Sequence, residues 1–182
     1  RLKIPPFIAT LGMMMVTKGL SLVLSGAKPV YYPDGWNKIA LGNIIPGIPN
    51  AVLIFVAAAI LATFLLNKTL LGRYDFAIGS NEEATRLSGV NVKKWLTIIY
   101  MVAGAFCGVA GMLMSSRLGS AQPALGQGYE LEAIAAVVIG GTSLSGGSGT
   151  ILGTVIGAFI MSVLTSGLKI MAVPQEWQTV VI

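Results

Sequence analysis

Residues 133–168, AIAAVVIGGTSLSGGSGTILGTVIGAFIMSVLTSGL, form a run of 36 positions without a charged side chain. At about 1.5 Å per residue a helix of this length is far longer than the roughly 30 Å of hydrocarbon that one straight span crosses. The run therefore has to break, and the Gly/Ser segment, residues 140–149 (GGTSLSGGSG), is the place where a helix is hardest to maintain. We predict a half-length or re-entrant helix over residues 131–139 and a full span over residues 150–168.

The composition of the whole chain supports a membrane location. Of its 182 residues, 54% are hydrophobic and 10% are charged, whereas soluble domains carry about 25% charged residues. A charge at the bilayer centre costs at least about 2.5 kcal/mol, so charge-poor intervals locate the lipid-spanning parts. They predict further spans at residues 7–24, interrupted by Lys18, at residues 51–66 and at residues 96–114. The predicted fold class is all-α, a polytopic transmembrane helical bundle with one broken helix.

Several classes of function are excluded by composition. The 12 Lys and Arg residues against 7 Asp and Glu residues lie between apolar runs and not in an exposed stripe, which argues against nucleic-acid binding. The chain has no His and one Cys, Cys107, so disulfide frameworks, His-ligated metals and Ser–His or Cys–His catalysis are excluded within it. We expect no catalytic residue, metal or cofactor on this chain.

The two ends of the sequence suggest a piece of a longer protein. The first residue is Arg1 and not Met, and residues 179–182 resemble the opening of another apolar run. We interpret residues 1–182 as a fragment of a single transmembrane domain that lacks earlier helices and a final span.

The distribution of basic residues predicts the orientation of the chain. The segment 67–95 carries five basic residues, and basic residues accumulate in short cytoplasmic loops. We therefore expect residues 67–95 in the cytoplasm and residues 115–130 outside, which leaves the Gly/Ser segment at or near the cytoplasmic side.

A short helix is predicted inside the cytoplasmic segment. Ser80 and Glu83 have the spacing of a capping box, in which each side chain accepts a hydrogen bond from a free backbone N–H of the first turn. Gly89 suits the end of the helix, so residues 81–88 are expected to be helical.

The surface of this predicted helix allows two interpretations. Glu82 and Arg86 stand at i,i+4, where opposite charges attract, and Ala84 and Leu87 share one face at i,i+3. An apolar face flanked by charge suits docking into a partner's groove or lying on the membrane surface. A solvated connector is the alternative.

Glycines at helical spacing predict close helix packing. Small residues at this spacing let helices approach each other in lipid, and packing is favoured over a gating role. The glycines concerned are Gly104, Gly108, Gly149, Gly153 and Gly157.

Hydroxyl groups and free backbone groups make the Gly/Ser segment a candidate translocation path. It lacks the Lys that a phosphate-binding GxxxxGK[ST] loop requires, so it does not bind ATP in that way. Its polar groups either contact a hydroxylated substrate or satisfy one another. The candidate path residues are Gly140, Gly141, Thr142, Ser143 and Ser145.

Two acidic residues allow a different transport mechanism. Glu130 and Glu132 flank the start of the half-length helix, where the positive end of the helix dipole stabilises carboxylates. A role in proton coupling or substrate contact is the alternative, and it would make the protein a proton-coupled secondary transporter.

Two sequence blocks carry a family resemblance. Residues 71–94 (LGRYDFAIGSNEEATRLSGVNVKK) and 120–158 (SAQPALGQGYELEAIAAVVIGGTSLSGGSGTILGTVIGA) closely resemble permease subunits of bacterial ABC importers for monosaccharides, of the ribose, xylose and galactose type. The resemblance implies transport of a ribose-like pentose or a hexose into the cytoplasm. Within such permeases, nucleosides and branched-chain amino acids are alternative cargoes.

The resemblance also implies partners. They are a cytoplasmic ABC ATPase subunit that holds ATP and Mg²⁺, an extracytoplasmic sugar-binding protein, a second permease subunit and the lipid bilayer of the bacterial inner membrane. In this class the short cytoplasmic helix is the coupling helix that docks into the ATPase subunit. The residues implied in that coupling are Ser80, Asn81, Glu82, Glu83, Ala84, Arg86, Leu87 and Gly89.

Overall fold

The computed structural model describes residues 6–33, 35–123, 125–174 and 177. Residues 179–182, interpreted above as the opening of another apolar run, lie outside these described residues. In chain order the elements are α1 (Pro6–Ser25), β1 (Val30–Tyr31), α2 (Lys38–Leu41), α3 (Asn50–Lys68), α4 (Leu70–Ser80), α5 (Glu82–Leu87), α6 (Val92–Leu118), β2 (Ser120–Ala121), α7 (Tyr129–Ile139) and α8 (Ile151–Ile170).

Four of the described helices, α1, α3, α6 and α8, are long and apolar enough to cross a membrane. They coincide with the four predicted spans, so the all-α fold class with several spans is confirmed. The largest difference from the prediction is in α6. This helix has 27 residues and extends beyond both ends of the predicted span 96–114. Its added ends carry Lys93, Lys94 and Arg117, long side chains whose charged tips can reach water beyond the lipid while the helix continues.

The long helices expose their apolar side chains. On α1, for example, Val23 is 77% exposed and Leu24 is 85% exposed. In water such a surface would be costly at about 25 cal/mol per Å², whereas lipid tails or neighbouring helices cover it without that cost. The exposed apolar surface is therefore typical of a membrane protein.

The break in the long uncharged run is confirmed. Helix α7 ends at Ile139, a turn follows, and α8 begins at Ile151. Thr150 is the N-cap of α8, and its side-chain oxygen accepts a hydrogen bond from the Gly153 backbone N–H at 3.1 Å. The half-length helix thus has a defined end, and the full span has a defined start.

The chain divides into two compact units, and the first is formed by Arg1–Ala51 with Ala110–Leu125. In it β1 and β2 pair antiparallel, with Val30 opposite Ala121. The hydroxyl of the fully buried Ser116 donates to the Trp36 carbonyl oxygen at 2.8 Å and accepts from the Ala40 N–H at 3.0 Å. These bonds fasten α2 to the end of α6. Neither strand was predicted, because two residues are too few to show an alternating pattern.

The second unit, Val52–Val109 with Gly126–Ile182, contains the predicted functional segments. Helices α7 and α8 pack closely against each other. An edge-on contact between Phe55 and Phe159, with ring centroids 6.4 Å apart, joins α3 to α8. Tyr74 of α4 contacts Trp95 of α6 at 4.5 Å between ring centroids.

Among the described helices, α4 has an ordinary length but was not predicted from the sequence. Its 11 residues contain Arg73 and Asp75, and the segment was interpreted as part of a cytoplasmic loop. Thr69, with φ −113° and ψ 164°, separates α4 from α3. Gly72 and Ile78 are the buried residues of α4.

Candidate functional site

The N-terminus of α5 is capped by Asn81. Asn81 has an extended backbone (φ −157°, ψ 101°), and its side-chain oxygen accepts a hydrogen bond from the Ala84 N–H at 2.9 Å. The predicted capping box of Ser80 and Glu83 is wrong, because Ser80 is the last residue of α4 and a helical residue cannot also be an extended N-cap. The observed N-cap is therefore one residue after the predicted one.

The predicted ion pair on α5 is replaced by another. Arg86 lies 3.6 Å from the Glu83 carboxylate at i,i+3, whereas the prediction paired Arg86 with Glu82. Both partners are largely exposed, so this pair adds at most about 1 kcal/mol.

The end of α5 follows the prediction at Gly89. Gly89 has φ +84°, a left-handed conformation that glycine adopts without the steric cost of a Cβ, and its N–H donates to the Arg86 carbonyl at 3.1 Å. The helix is Glu82–Leu87, one residue shorter at each end than the predicted 81–88.

Thr85 attaches α5 to α4 and was not predicted. Its side chain is buried, and its hydroxyl lies 2.9 Å from the Ala77 carbonyl oxygen and 2.8 Å from the Asn81 carbonyl oxygen. The inward face of α5 is therefore polar. Leu87, by contrast, is 79% exposed, and Ala84 is exposed as well. An apolar outer face on a charged helix is what a docking surface requires.

The Gly/Ser segment satisfies part of its own hydrogen bonding. The Ser143 N–H donates to the Ser148 carbonyl at 3.0 Å, the Gly146 N–H donates to the Ser143 carbonyl at 3.1 Å, and the Ser145 N–H donates to the Ser143 hydroxyl at 3.2 Å. Positive φ angles at three of its glycines allow the tight course of the backbone. These are Gly141, Gly146 and Gly147.

Thr142 differs from the other hydroxyl residues of this segment. Its Oγ1 is buried and has no hydrogen-bond partner within the described part of the chain. A buried polar atom without a partner costs about 1–3 kcal/mol, so Thr142 carries an unsatisfied hydroxyl that a movement of the segment would have to expose before water or a ligand could bond to it.

Glycines form the contact between α7 and α8. A Cβ added at Gly153 would collide with the Gly140 carbonyl oxygen, and one added at Gly157 would collide with the Ala136 carbonyl oxygen. A Cβ at Gly149 would lie 2.6 Å from the Thr142 methyl carbon. Only glycine permits so close an approach.

Gly104 and Gly108 of α6 have surroundings different from those of the α8 glycines. A Cβ added at Gly104 or Gly108 would meet nothing within 4 Å among the residues that the structure describes. Their role in helix packing therefore stays a prediction. Cys107, on the same helix, is exposed.

A cavity of about 280 Å³ lies beside the Gly/Ser segment. Thr142 and Ser143 line it together with Asp75 and Phe76 of α4. Burial raises the pKa of the Asp75 carboxyl above its ordinary value of 3.8. The cavity thus combines a carboxyl group with hydroxyl groups and an aromatic ring. Asp75 was not predicted as a site residue. The one local indication in the sequence is that this acidic residue lies between two aromatic residues, Tyr74 and Phe76.

Glu130 and Glu132 lie in the first turn of α7, as predicted. Both are exposed, which is compatible with stabilisation by the helix dipole. Within the described ranges no three His, Cys, Asp or Glu residues come close enough to hold a metal ion.

All 182 residues match the family model described as the permease component of the branched-chain amino acid transport system. The chain belongs to this family. Together with the four described helices that are long and apolar enough to cross a membrane, this makes the chain part of a multi-pass membrane protein.

The relatives include sugar permeases. The chain is 44% identical over 184 residues to the ribose import permease protein RbsC of Escherichia coli (strain K12), covering 98% of this chain and 57% of the relative. It is 48% identical over 143 residues to the xylose transport system permease protein XylH of Haemophilus influenzae, covering 79% of this chain and 38% of the relative. Identity to the fructose import permease protein FrcC of Rhizobium meliloti is 37% over 188 residues, covering 97% of this chain and 51% of the relative.

These matches confirm the resemblance to monosaccharide import permeases. The chain spans about half the length of the curated relatives it matches. No solved structure matches it.

Proposed function

We propose that the chain is part of the transmembrane permease subunit of an ATP-driven ABC importer that carries a simple sugar into the bacterial cytoplasm. The observation that carries this proposal is the identity of 44% to a ribose import permease over 98% of the chain. The xylose and fructose permeases among the relatives extend the cargo class to pentoses and hexoses. The four spanning helices are consistent with a site in the cytoplasmic membrane.

In this proposal ATP and Mg²⁺ are held by a separate cytoplasmic ATPase subunit. Helix α5 is the docking element for that subunit. The exposed Ala84 and Leu87 would enter an apolar groove, and the charged Glu82, Glu83 and Arg86 would contact its rim. A second permease subunit and an external sugar-binding protein complete the assembly.

The translocation path is proposed to run past the Gly/Ser segment. A sugar hydroxyl both donates and accepts hydrogen bonds, so it can bond to the Thr142 hydroxyl once a movement of the segment exposes this buried group, and to nearby backbone groups. Gly140, Gly141, Ser143 and Ser145 would supply further backbone and hydroxyl groups along this path. Weak contacts of this kind suit a path, because a substrate held too tightly would not leave.

Uptake of radiolabelled pentoses and hexoses into proteoliposomes tests this function. The vesicles hold the full-length permease, its ATPase subunit and the binding protein, with or without internal ATP. We expect uptake that requires ATP and survives a protonophore. Uptake that is independent of ATP and collapses with the proton gradient would refute the proposal and favour Glu130 and Glu132 as coupling groups.

A further inference from the structure

The end of α4 touches the Gly/Ser segment through backbone atoms. A Cβ added at Gly79 would lie 2.7 Å from the Gly147 nitrogen, and one added at Gly146 would lie 2.7 Å from the Gly79 carbonyl oxygen. A Cβ at Gly147 would lie 3.0 Å from both Cα and Cβ of Ser80. Since carbon atoms pack best at about 3.5–4.0 Å, side chains at these three glycines would separate the two segments. We call this juncture the glycine contact.

We propose that the glycine contact makes α5 and the Gly/Ser segment move as one rigid body, so that displacement of α5 is passed directly to α7 and α8. This inference rests on the proposed function, in which the ATPase subunit moves α5. It assigns Gly79, Gly146 and Gly147 as positioning residues for transport.

The first link of this body joins α5 to α4. The buried Thr85 hydroxyl reaches back to the Ala77 carbonyl at 2.9 Å, one helical turn or less from Gly79. Asn81, the residue between the two helices, is itself held by its side-chain bond to the Ala84 N–H at 2.9 Å. The bend between α4 and α5, which we call the elbow, is therefore held by one hydrogen bond to α4 and one to α5.

The second link is the glycine contact. The third link joins the Gly/Ser segment and α7 to α8. Gly140 at one end of the segment contacts Gly153 of α8, while Ala136 of α7 contacts Gly157 of α8. Backbone contacts of this kind contain no flexible side chain that could yield under load. A displacement of α5 would therefore displace the start of α8, because the contacts between them would not deform.

Substitution of Gly79 by Ala tests the glycine contact without adding backbone strain. Gly79 lies inside helix α4, where Ala is favoured over Gly, so the substitution acts through the added Cβ. Gly12→Ala is the matched control, because it makes the same change inside α1, at a glycine to which no role is assigned, with nothing within 4 Å in the described chain. The readout is sugar uptake per ATP hydrolysed by the full-length permease assembled with its ATPase subunit and binding protein.

We expect Gly79→Ala to lower uptake per ATP hydrolysed by about threefold or more, the size of effect seen for residues that couple distant sites. The control should keep the wild-type ratio. A fall in uptake and ATP hydrolysis by the same factor would indicate only a structural role and would overturn the proposal, as would an unchanged ratio. Absence of ATP-dependent uptake in the wild-type assembly would instead refute the proposed function.

A reversible cross-link tests the rigidity separately from any loss of folding. Ser80→Cys and Gly147→Cys, combined with Cys107→Ser, place two thiols across the glycine contact, where the Cβ positions are 3.0 Å apart. Comparing the oxidised and reduced forms of this one protein cancels the cost of the substitutions. The reduced form carries a side chain at position 147 and should couple weakly, as Gly79→Ala does, whereas the disulfide joins the two segments again. We expect the disulfide to form and uptake per ATP to be higher in the oxidised form. Failure of the disulfide to form, or an equal or lower ratio on oxidation, would overturn the proposal.

Discussion

The hydroxyl of Thr85 lies 2.9 Å from the carbonyl oxygen of Ala77 and closes the elbow between α4 and α5. The threonine is 8% exposed, although the rest of its helix faces outward. Thr85 is thus the inward-facing residue of α5, and Ala84 and Leu87 are left exposed for a partner.

Thr85→Val should loosen this elbow. Valine has nearly the same shape, so the change removes the hydroxyl, while the carbonyl of Ala77 keeps its bond from the Asn81 N–H at 3.0 Å. The loss of one hydrogen bond should cost about 0.5–1.5 kcal/mol. We expect a lower thermal midpoint for the purified permease and slower ATP-dependent uptake. Ser88→Ala, which removes an exposed hydroxyl bonded to the Ala84 carbonyl at 3.0 Å, is the control. Equal effects of the two substitutions would contradict the role of Thr85.

The corrected cap of α5 gives a second prediction. Asn81→Ala removes the side chain that accepts from the Ala84 N–H and should destabilise the helix by about 1 kcal/mol. Ser80→Ala should have little effect, since Ser80 belongs to α4. Hydrogen exchange at the Ala84 amide measures this directly, with faster exchange expected only in the Asn81 variant. Faster exchange in the Ser80 variant alone would restore the capping-box interpretation.

Glycines with the same sequence spacing should differ in their tolerance of substitution. Gly157→Ala forces a Cβ onto the Ala136 carbonyl and should destabilise the α7–α8 pair by about 1–3 kcal/mol, as overpacking does elsewhere. Gly108→Ala meets nothing within 4 Å among the described residues and should be neutral or slightly stabilising. Thermal midpoints of the two variants in detergent provide the comparison. Similar midpoints for the two would show that the α7–α8 contact is looser than described.

Asp75 should make stability depend on pH. Because burial raises the pKa of its carboxyl in the folded protein, the protonated form is favoured there, and stability is lost as pH rises through the raised pKa. Asp75→Asn resembles the protonated acid and should have a higher thermal midpoint than the wild type at pH 7. The two midpoints should converge below the ordinary pKa of 3.8. A difference that is constant from pH 4 to pH 8 would contradict this account.

Much of the membrane architecture could be predicted from local properties of the chain. Hydrocarbon excludes charge, so the intervals between charged residues located α1, α3, α6 and α8 to within a few residues. The break before α8 was also visible, because glycine and serine are poor helix formers wherever they occur. These costs depend on a residue and its sequence neighbours alone.

The site depended on contacts between segments that are distant in the sequence. Gly157 and Gly108 both lie in runs of regularly spaced glycines, yet only Gly157 has a backbone against it. In the same way, nothing near Gly79 indicates that it meets Gly147, and nothing near Asp75 indicates a shared cavity with Thr142. The sequence by itself determined which segments enter the membrane, because that is a matter of solvation. Only the tertiary structure decided which glycines and polar groups face each other, because close packing depends on the surfaces that folding brings together.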